Sequence, residues 1–142
     1  MLVEQARAED EQAVIYLLER SHLPLEGLTH WLATTVVARE NGDVVGSAAL
    51  EVYADGALLR SVAVAPEAQG KGLGHELTAA AIRMAETLHV PAVYLLTTTA
   101  EQFFPRFGFE RIARADVPPT VQTSIEFTSA CPSSATVMRK TL

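Results

Sequence analysis

A chain of 142 residues, 49% of them apolar and with a formal net charge of −6, is long enough to bury about two-thirds of its unfolded surface, so one domain over residues 1–142 is expected. The acidic balance argues against nonspecific nucleic-acid binding, which needs clustered Lys and Arg to displace counterions. The apolar runs are too short to span a bilayer, and Glu9-Asp10-Glu11 stands where a signal-peptide core would lie, so a cytoplasmic protein without a membrane partner is expected; with Cys131 as its single cysteine it has neither an internal disulfide nor a cysteine-based zinc site.

Leu2 to Arg7 reads as a short edge strand. From Ala8 to Arg20, Ala13, Val14, Leu17 and Leu18 fall on one helical face and Glu9, Glu11, Gln12 and Glu19 on the other, the pattern of a helix packed on a sheet. Ser21 to Pro24 breaks it, and a second short helix is predicted over Leu25 to Leu32, carrying Trp31. Thr35 to Arg39 and Val44 to Tyr53 are β-rich runs separated by Glu40-Asn41-Gly42-Asp43, and Asn-Gly is the strongest short hairpin signal. Ala54-Asp55-Gly56 turns into the next strand, Ala57 to Ala65.

That strand leads into Gln69-Gly70-Lys71-Gly72-Leu73-Gly74-His75 and then into a segment free of Gly and Pro. The order is strand, glycine turn, helix. A helix's first turn leaves about four backbone N–H groups without partners and carries about half a positive charge, and glycines let the backbone approach a bulky anion. Phosphate is therefore the favoured ligand, with an ordinary Gly-rich turn as the alternative. A P-loop is excluded because Gly72, not Ser or Thr, follows Lys71, and a dinucleotide fingerprint because His75 stands where its last glycine belongs. The helix is predicted from Gly72 to about His89, with Leu73, Leu77, Ala80, Ala81, Met84 and Leu88 as its packed stripe. Ala92 to Thr97 follows as a buried strand parallel to the motif strand, joined by a right-handed crossover. Ala100 to Phe107 reads as a short helix, Phe109 to Ala113 and Thr136 to Thr141 as closing antiparallel strands, and Asp116 with Pro118-Pro119 as the start of a helix reaching about Thr128.

The pattern Gln/Arg-x-x-Gly-x-Gly/Ala at Gln69 to Gly74, preceded by Val62-Ala63-Val64-Ala65-Pro66, resembles the acyl-CoA-binding segment of the GNAT superfamily of N-acyltransferases. Phe103-Phe104-Pro105-Arg106-Phe107-Gly108-Phe109 resembles its second motif, an aromatic helix ending in Gly-Phe. The resemblance implies an α/β (α+β) fold with a mixed, mostly antiparallel sheet of 6–7 strands and about 4–5 helices. It implies acetyl-CoA as co-substrate, no metal, and a small amine as acceptor, with a homodimer left open. The CoA-binding residues it implies are Val62, Ala63, Val64, Gln69, Gly70, Lys71, Gly72, Leu73, Gly74, His75, Phe103 and Phe104. In the family the first helical pair borders the acceptor site, so Trp31 and His30 are candidates for substrate contact against a core tryptophan and a solvated histidine. For His75 the alternatives are a CoA phosphate and solvent.

Amide formation from a thioester needs a neutral amine, a hydrogen-bond donor for the oxyanion and a proton for the thiolate. The family's donor, a backbone amide, maps near Val62 to Val64. Its usual acid, a tyrosine, is replaced by Phe104, so the thiolate leaves unassisted or a hydroxyl or water substitutes; Thr97, Thr98 and Thr99 are the candidates for orienting water, with the end of a strand and a helix cap at Thr99 as the alternative reading. Glu51 is the favoured base, because a carboxylate on a central strand is costly to bury without purpose; a surface ion pair with Arg60 is the alternative. Arg60 could clamp an acceptor carboxylate, though beside an arginine Glu51 would be a weaker direct base, which favours deprotonation through water. Core packing is the expected role of Cys131.

Leu59-Arg60-Ser61, Leu95 to Ala100, Phe104, Glu126-Phe127 and Cys131-Pro132 together look like the arsenic-resistance branch of GNAT proteins, whose members are associated with acetylating the α-amine of arsinothricin. The leading expectation is an acetyl-CoA-dependent N-acetyltransferase for a small amino-acid-like amine, working in a ternary complex. The alternatives are a non-catalytic acyl-CoA sensor, motivated by Phe104, and a protein or peptide N-acetyltransferase.

Overall fold

The computed structural model describes residues Leu2–Leu142. Its strands are β1 (Leu2–Gln5), β2 (Thr35–Glu40), β3 (Asp43–Tyr53), β4 (Gly56–Val64), β5 (Ala92–Thr97), β6 (Glu110–Ile112) and β7 (Thr136–Thr141), and its α-helices are α1 (Glu11–Arg20) and α2 (Leu73–Thr87). The strands form one seven-stranded sheet in the order β1-β2-β3-β4-β5-β7-β6. Only β4 and β5 run parallel, as a crossover through α2 requires. Asn41 and Gly42 both take positive φ, 54° and 86°, the left-handed pair that a tight two-residue hairpin needs.

Helices and sheet share the main core. Val14, Leu17 and Leu18 of α1 and Leu73, Leu77, Ala81 and Ala85 of α2 are buried on it. A smaller cluster joins Leu58, Tyr94 and Val137 to Val117 and Val121. Because Leu58 and Leu59 belong to different clusters and alternate along β4, the sheet is covered on both faces there. The segment after β6 supplies the second cover.

Several predicted elements take other forms, each for a local reason. The buried face of α2 follows the i, i+4 row Leu73-Leu77-Ala81-Ala85, with Thr78 and Ile82 beside it, whereas Leu88 is exposed beyond the helix end. Leu25 to Leu32 is not an α-helix; a 3₁₀ segment spans Leu28–Thr34 and kinks at Trp31. The aromatic helix is a 3₁₀ turn, Phe104–Phe107, since Pro105 lacks the N–H that an α-helix would use. The helix predicted through Thr128 is replaced by 3₁₀ turns at Arg114–Asp116 and Val121–Thr123 and a π-helical turn at Glu126–Ala130. Hydroxyls compete there with helix hydrogen bonds: Thr123 Oγ1 donates to Thr120 O at 2.6 Å and Ser124 Oγ accepts from Glu126 N at 3.1 Å, an alternative that Ser and Thr offer the backbone.

The feature that makes a site is an irregularity in β4. Ser47 pairs with Ala63 and Ala49 with Arg60, so Ala48 faces two residues, Ser61 and Val62. Ser61 takes φ +58°, a left-handed conformation that costs a non-glycine residue about 1–3 kcal/mol. Ser47 Oγ holds the bulge by donating to Ser61 O at 2.7 Å. Bulges bend and twist the strand that carries them. The parallel ladder between β4 and β5 runs only through Ala57–Val93 and Leu58–Tyr94. Beyond it the strands diverge, and the opening lies in the gap.

Candidate active site

A cavity of about 540 Å³ occupies that gap. One wall is Leu59 to Val62 of β4, the other Leu95 to Ala100 at the end of β5, with Phe103 and Phe104 beside them and Glu126, Cys131 and Pro132 from the segment before β7.

At the helical end, Gly70 and Gly72 take φ +83° and +79°, and a Cβ at either would meet open space. The glycines are thus required by backbone conformation. The first α2 hydrogen bond runs from Glu76 N to Gly72 O at 3.1 Å. Among the described residues, the amides of Leu73, Gly74 and His75 donate to no backbone carbonyl, so the turn offers an anion unpaired donors and the positive end of a 15-residue helix. Gln69 donates from Nε2 to Val64 O at 3.1 Å, tying the turn to the strand end. Lys71 is paired with Glu40 at 3.2 Å on the surface. His75 is exposed, with its ring 4.8 Å from that of Phe107. Phe103 packs against Phe104 at 5.1 Å and Phe107 at 5.4 Å, and Phe104 itself is buried.

At the other end lies a buried ionic cluster centred on Arg60, whose side chain is fully enclosed. Its Nη1 donates to Glu51 Oε2 at 2.8 Å and to Glu26 O at 2.7 Å. Nη2 donates to Pro24 O at 3.2 Å and Nε to Ser61 Oγ at 3.1 Å. Glu126 Oε2 stands 3.2 Å from the same Nε. Gly27 makes room for this cluster: at φ +82° a Cβ there would lie 3.3 Å from Arg60 Nη1.

These contacts revise two sequence expectations. Arg60 has its donors engaged inside the protein, so it does not fit the role of a carboxylate clamp; it organises the loop before β2 and the carboxylates around it. Glu51 is buried, accepts from Tyr53 OH at 2.5 Å as well as from Arg60, and does not line the cavity. It is the inner partner of Arg60 and not a base facing the opening; the surface ion pair is likewise excluded, because the pair is interior. Burial, followed by the Glu51 hydrogen bond, holds the Tyr53 phenol well above its ordinary pKa.

Glu126 does line the cavity. Burial raises its carboxyl to about 7, with Arg60 opposing and Glu51 adding to the rise. Cys131 is half-buried with Sγ 3.7 Å from Glu126 Oε1, a cavity wall position in place of the core packing expected. Burial and the neighbouring carboxylate push its thiol up to about 12, so it is not thiolate-like.

The threonines divide. Thr97 Oγ1 accepts from Ala100 N at 2.9 Å and Thr99 N at 3.4 Å, so Thr97, not Thr99, caps this turn. Thr98 is exposed at the cavity edge. Trp31 lies 5.6 Å from Tyr53 and 4.7 Å from His30, and neither Trp31 nor His30 lines the cavity. Sequence reasoning missed Glu126 as a site group; its only signal was a carboxylate beside Phe127, five residues before Cys131-Pro132.

Residues 31–111 match the family model described as the acetyltransferase (GNAT) domain. An amino-acid acetyltransferase of Mycobacterium tuberculosis is 38% identical over 81 residues, covering 56% of this chain and 46% of that protein. One from Neisseria meningitidis is 29% identical over 116 residues, covering 80% of this chain. The chain spans about a quarter, 26%, of the length of that curated relative. Among solved structures, Rv2747 from Mycobacterium tuberculosis in complex with CoA and NLQ superposes with a TM-score of 0.85 at 28% identity, covering 100% of this chain and 99% of that one. The N-acetylglutamate synthase of Neisseria gonorrhoeae, complexed with coenzyme A and N-acetyl-glutamate, has the same fold, with a TM-score of 0.84 at 23% identity over 99% of this chain and 35% of its own. The chain belongs to the GNAT acetyltransferase domain family.

Proposed function

We propose that the protein is an acetyl-CoA-dependent N-acetyltransferase whose acceptor is the amine of a small amino acid or amino-acid analogue. The observation carrying this reading is the cavity between the diverging β4 and β5, which has an anion-binding turn at one end and a buried carboxylate at the other. Acceptors of this class are also suggested by relatives named amino-acid acetyltransferase.

The residues fit a CoA-type ligand. The open space around Gly70 and Gly72 and the unpaired amides of Leu73, Gly74 and His75 suit a pyrophosphate. The backbone of Val62, Ala63 and Val64 lies outside the β4–β5 ladder and, apart from the Val64 carbonyl that Gln69 holds, suits an extended amide-bearing arm taking the place of a strand. Bound acetyl-CoA would supply an acetyl thioester as the electrophile. The chain's own part is to orient and to exclude water: Phe103 and Phe104 wall the arm's path with apolar rings, and Phe104 has no proton to donate. Thr98 and Thr99 bring exposed hydroxyls to the rim.

The acceptor is expected to enter beside Glu126, between the Pro24–Glu26 loop and Cys131. Within the class, arsinothricin is a candidate because of the sequence likeness around Leu59-Arg60-Ser61, Glu126-Phe127 and Cys131-Pro132. The test is thiol release from acetyl-CoA with each common amino acid and arsinothricin, with products identified by mass spectrometry. At least one acceptor is expected to accelerate release with stoichiometric N-acetyl product. Tight acetyl-CoA binding with no acceleration by any of them would support a non-catalytic module instead.

A further inference from the structure

The Arg60 cluster holds one cation and two carboxylates, and the carboxylates are not equivalent. Glu51 is sealed by Tyr53 OH and Arg60 Nη1. Glu126 is nearly as buried but lines the cavity, and it is poorly satisfied. Arg60 Nε lies 3.2 Å from Glu126 Oε2 yet makes its hydrogen bond to Ser61 Oγ. Among the described residues the one side-chain hydrogen bond to this carboxylate comes from Cys131 Sγ, at 3.7 Å, a weak donor. A buried carboxylate with unused acceptor capacity costs stability unless a partner completes it. The π-helical turn that begins at Glu126 is a form concentrated at functional sites.

Resting on the proposed function, we infer that Glu126 receives the ammonium group of the acceptor and accepts the proton that the amine must lose before it attacks. One N–H bond breaks and one O–H bond forms on the Glu126 carboxylate. The ammonium–carboxylate pair becomes a neutral amine beside a neutral acid, and the proton returns to solvent once the site reopens. The charge count supports this. Arg60 is one cation shared by two carboxylates, so the cluster carries one negative charge in excess when both are ionised, and Glu126 is the carboxylate that faces the cavity.

The groups around Glu126 set its titration. Arg60 on β4 lowers its pKa, Glu51 on β3 and Glu26 in the loop after α1 raise it, and the Cys131 hydrogen bond lowers it. Tyr53 stands behind Glu51, Arg114 beside Cys131, and His22 lines the cavity. With burial as the largest cause, the carboxyl titrates at about 7, well matched to proton transfer near neutral pH.

The test compares wild type with Glu126→Gln and Glu126→Asp, using the common amino acids and methylamine as probes. In the transfer arm, Glu126→Gln is expected to lose at least about 100-fold in kcat/KM for an accepted amino acid, together with the acid-side limb of the wild-type pH profile. The KM for acetyl-CoA should stay within about threefold, and Glu126→Asp should keep the limb at reduced rate. In the binding arm, a probe amine slows labelling of Cys131 by N-ethylmaleimide in wild type, and the protection vanishes in Glu126→Gln. Should Glu126→Gln fail to fold, Glu126→Asp carries the test through a shifted limb midpoint and altered protection. A Glu126 variant with the wild-type pH profile and rate, or a wild-type Cys131 that no amine protects, overturns the inference. If protection depends on Glu126 while no amino acid is acetylated, Glu126 stands as the ammonium-binding group, and its role in proton transfer falls together with the proposed function.

Discussion

Arg60 shows how one residue's surroundings decide its role. A guanidinium enclosed by Glu51, Glu126, Ser61 Oγ and the carbonyls of Pro24 and Glu26 is a structural hub. Removing one partner of a buried ion pair leaves charge uncompensated, so Arg60→Met is expected to destabilise the fold by about 3–5 kcal/mol in a denaturant titration. Gly27→Ala should cost about 1–2 kcal/mol through its left-handed backbone alone, plus the displacement of Arg60 Nη1. Glu126 makes a prediction of opposite sense. Its folded pKa is raised to about 7, so the native state holds a proton that the unfolded chain releases near the ordinary value of about 4.3. Wild-type stability therefore falls relative to Glu126→Gln as pH rises from about 4 to about 7. Thermal unfolding of both proteins across that range checks it; parallel curves would contradict the titration. The interior fate of Arg60 was not legible in sequence, because two of its partners are carbonyls of a loop 34 and 36 residues away, and backbone carbonyls leave no residue signature.

At the level of elements, readability followed local determination. The limits of β5 and β7 matched expectation at Ala92–Thr97 and Thr136–Thr141, because each is a β-rich run bounded by turn residues. The Asn41-Gly42 hairpin and the glycine turn into α2 were legible for the same reason: positive φ is written in residue type. The bulge at Ser61 was not, since serine gives no hint of φ +58° and the conformation is enforced by Ser47 across the pair. Nor was the segment from Arg114 to Ala130, where Pro and hydroxyl residues defeat a helix that its starting signals suggest. The anion turn carries the element-scale prediction. Gly72→Val should raise the acetyl-CoA Kd at least about tenfold, near 1.4 kcal/mol, by burdening the backbone at φ +79°. Lys71→Ala, which loses only a surface pair with Glu40, should change it little. Isothermal titration calorimetry distinguishes the two.

Over the whole molecule, the sheet supplies the opening and the covers supply its ends. Pairing is continuous from β1 to β4 and again from β5 to β6, so the short β4–β5 ladder is the seam at which the two halves part. The first half is anchored by Asp10, which takes two hydrogen bonds from Arg39, at 2.9 and 2.6 Å, and one from Arg7 N at 2.7 Å. The Arg39 hydrogen bond chiefly holds the Asp10 pKa below its ordinary value. Its stabilisation is present above that ordinary value and is lost as pH falls through the lower, folded one. Asp10→Asn should thus unfold at lower temperature than wild type at neutral pH, with the gap closing as pH falls below the ordinary aspartate value of about 3.9 and through the lower, folded one.

On the proposed function, the seam between β4 and β5 joins an acetyl-CoA site to an amino-acid acceptor site. A crystal structure with CoA and an N-acetylated amino-acid product tests it most directly. The pyrophosphate is expected on the amides of Gly70 to His75 and the product nitrogen within hydrogen-bonding reach of Glu126. A product nitrogen turned away from Glu126, or CoA bound outside the β4–β5 opening, would contradict it.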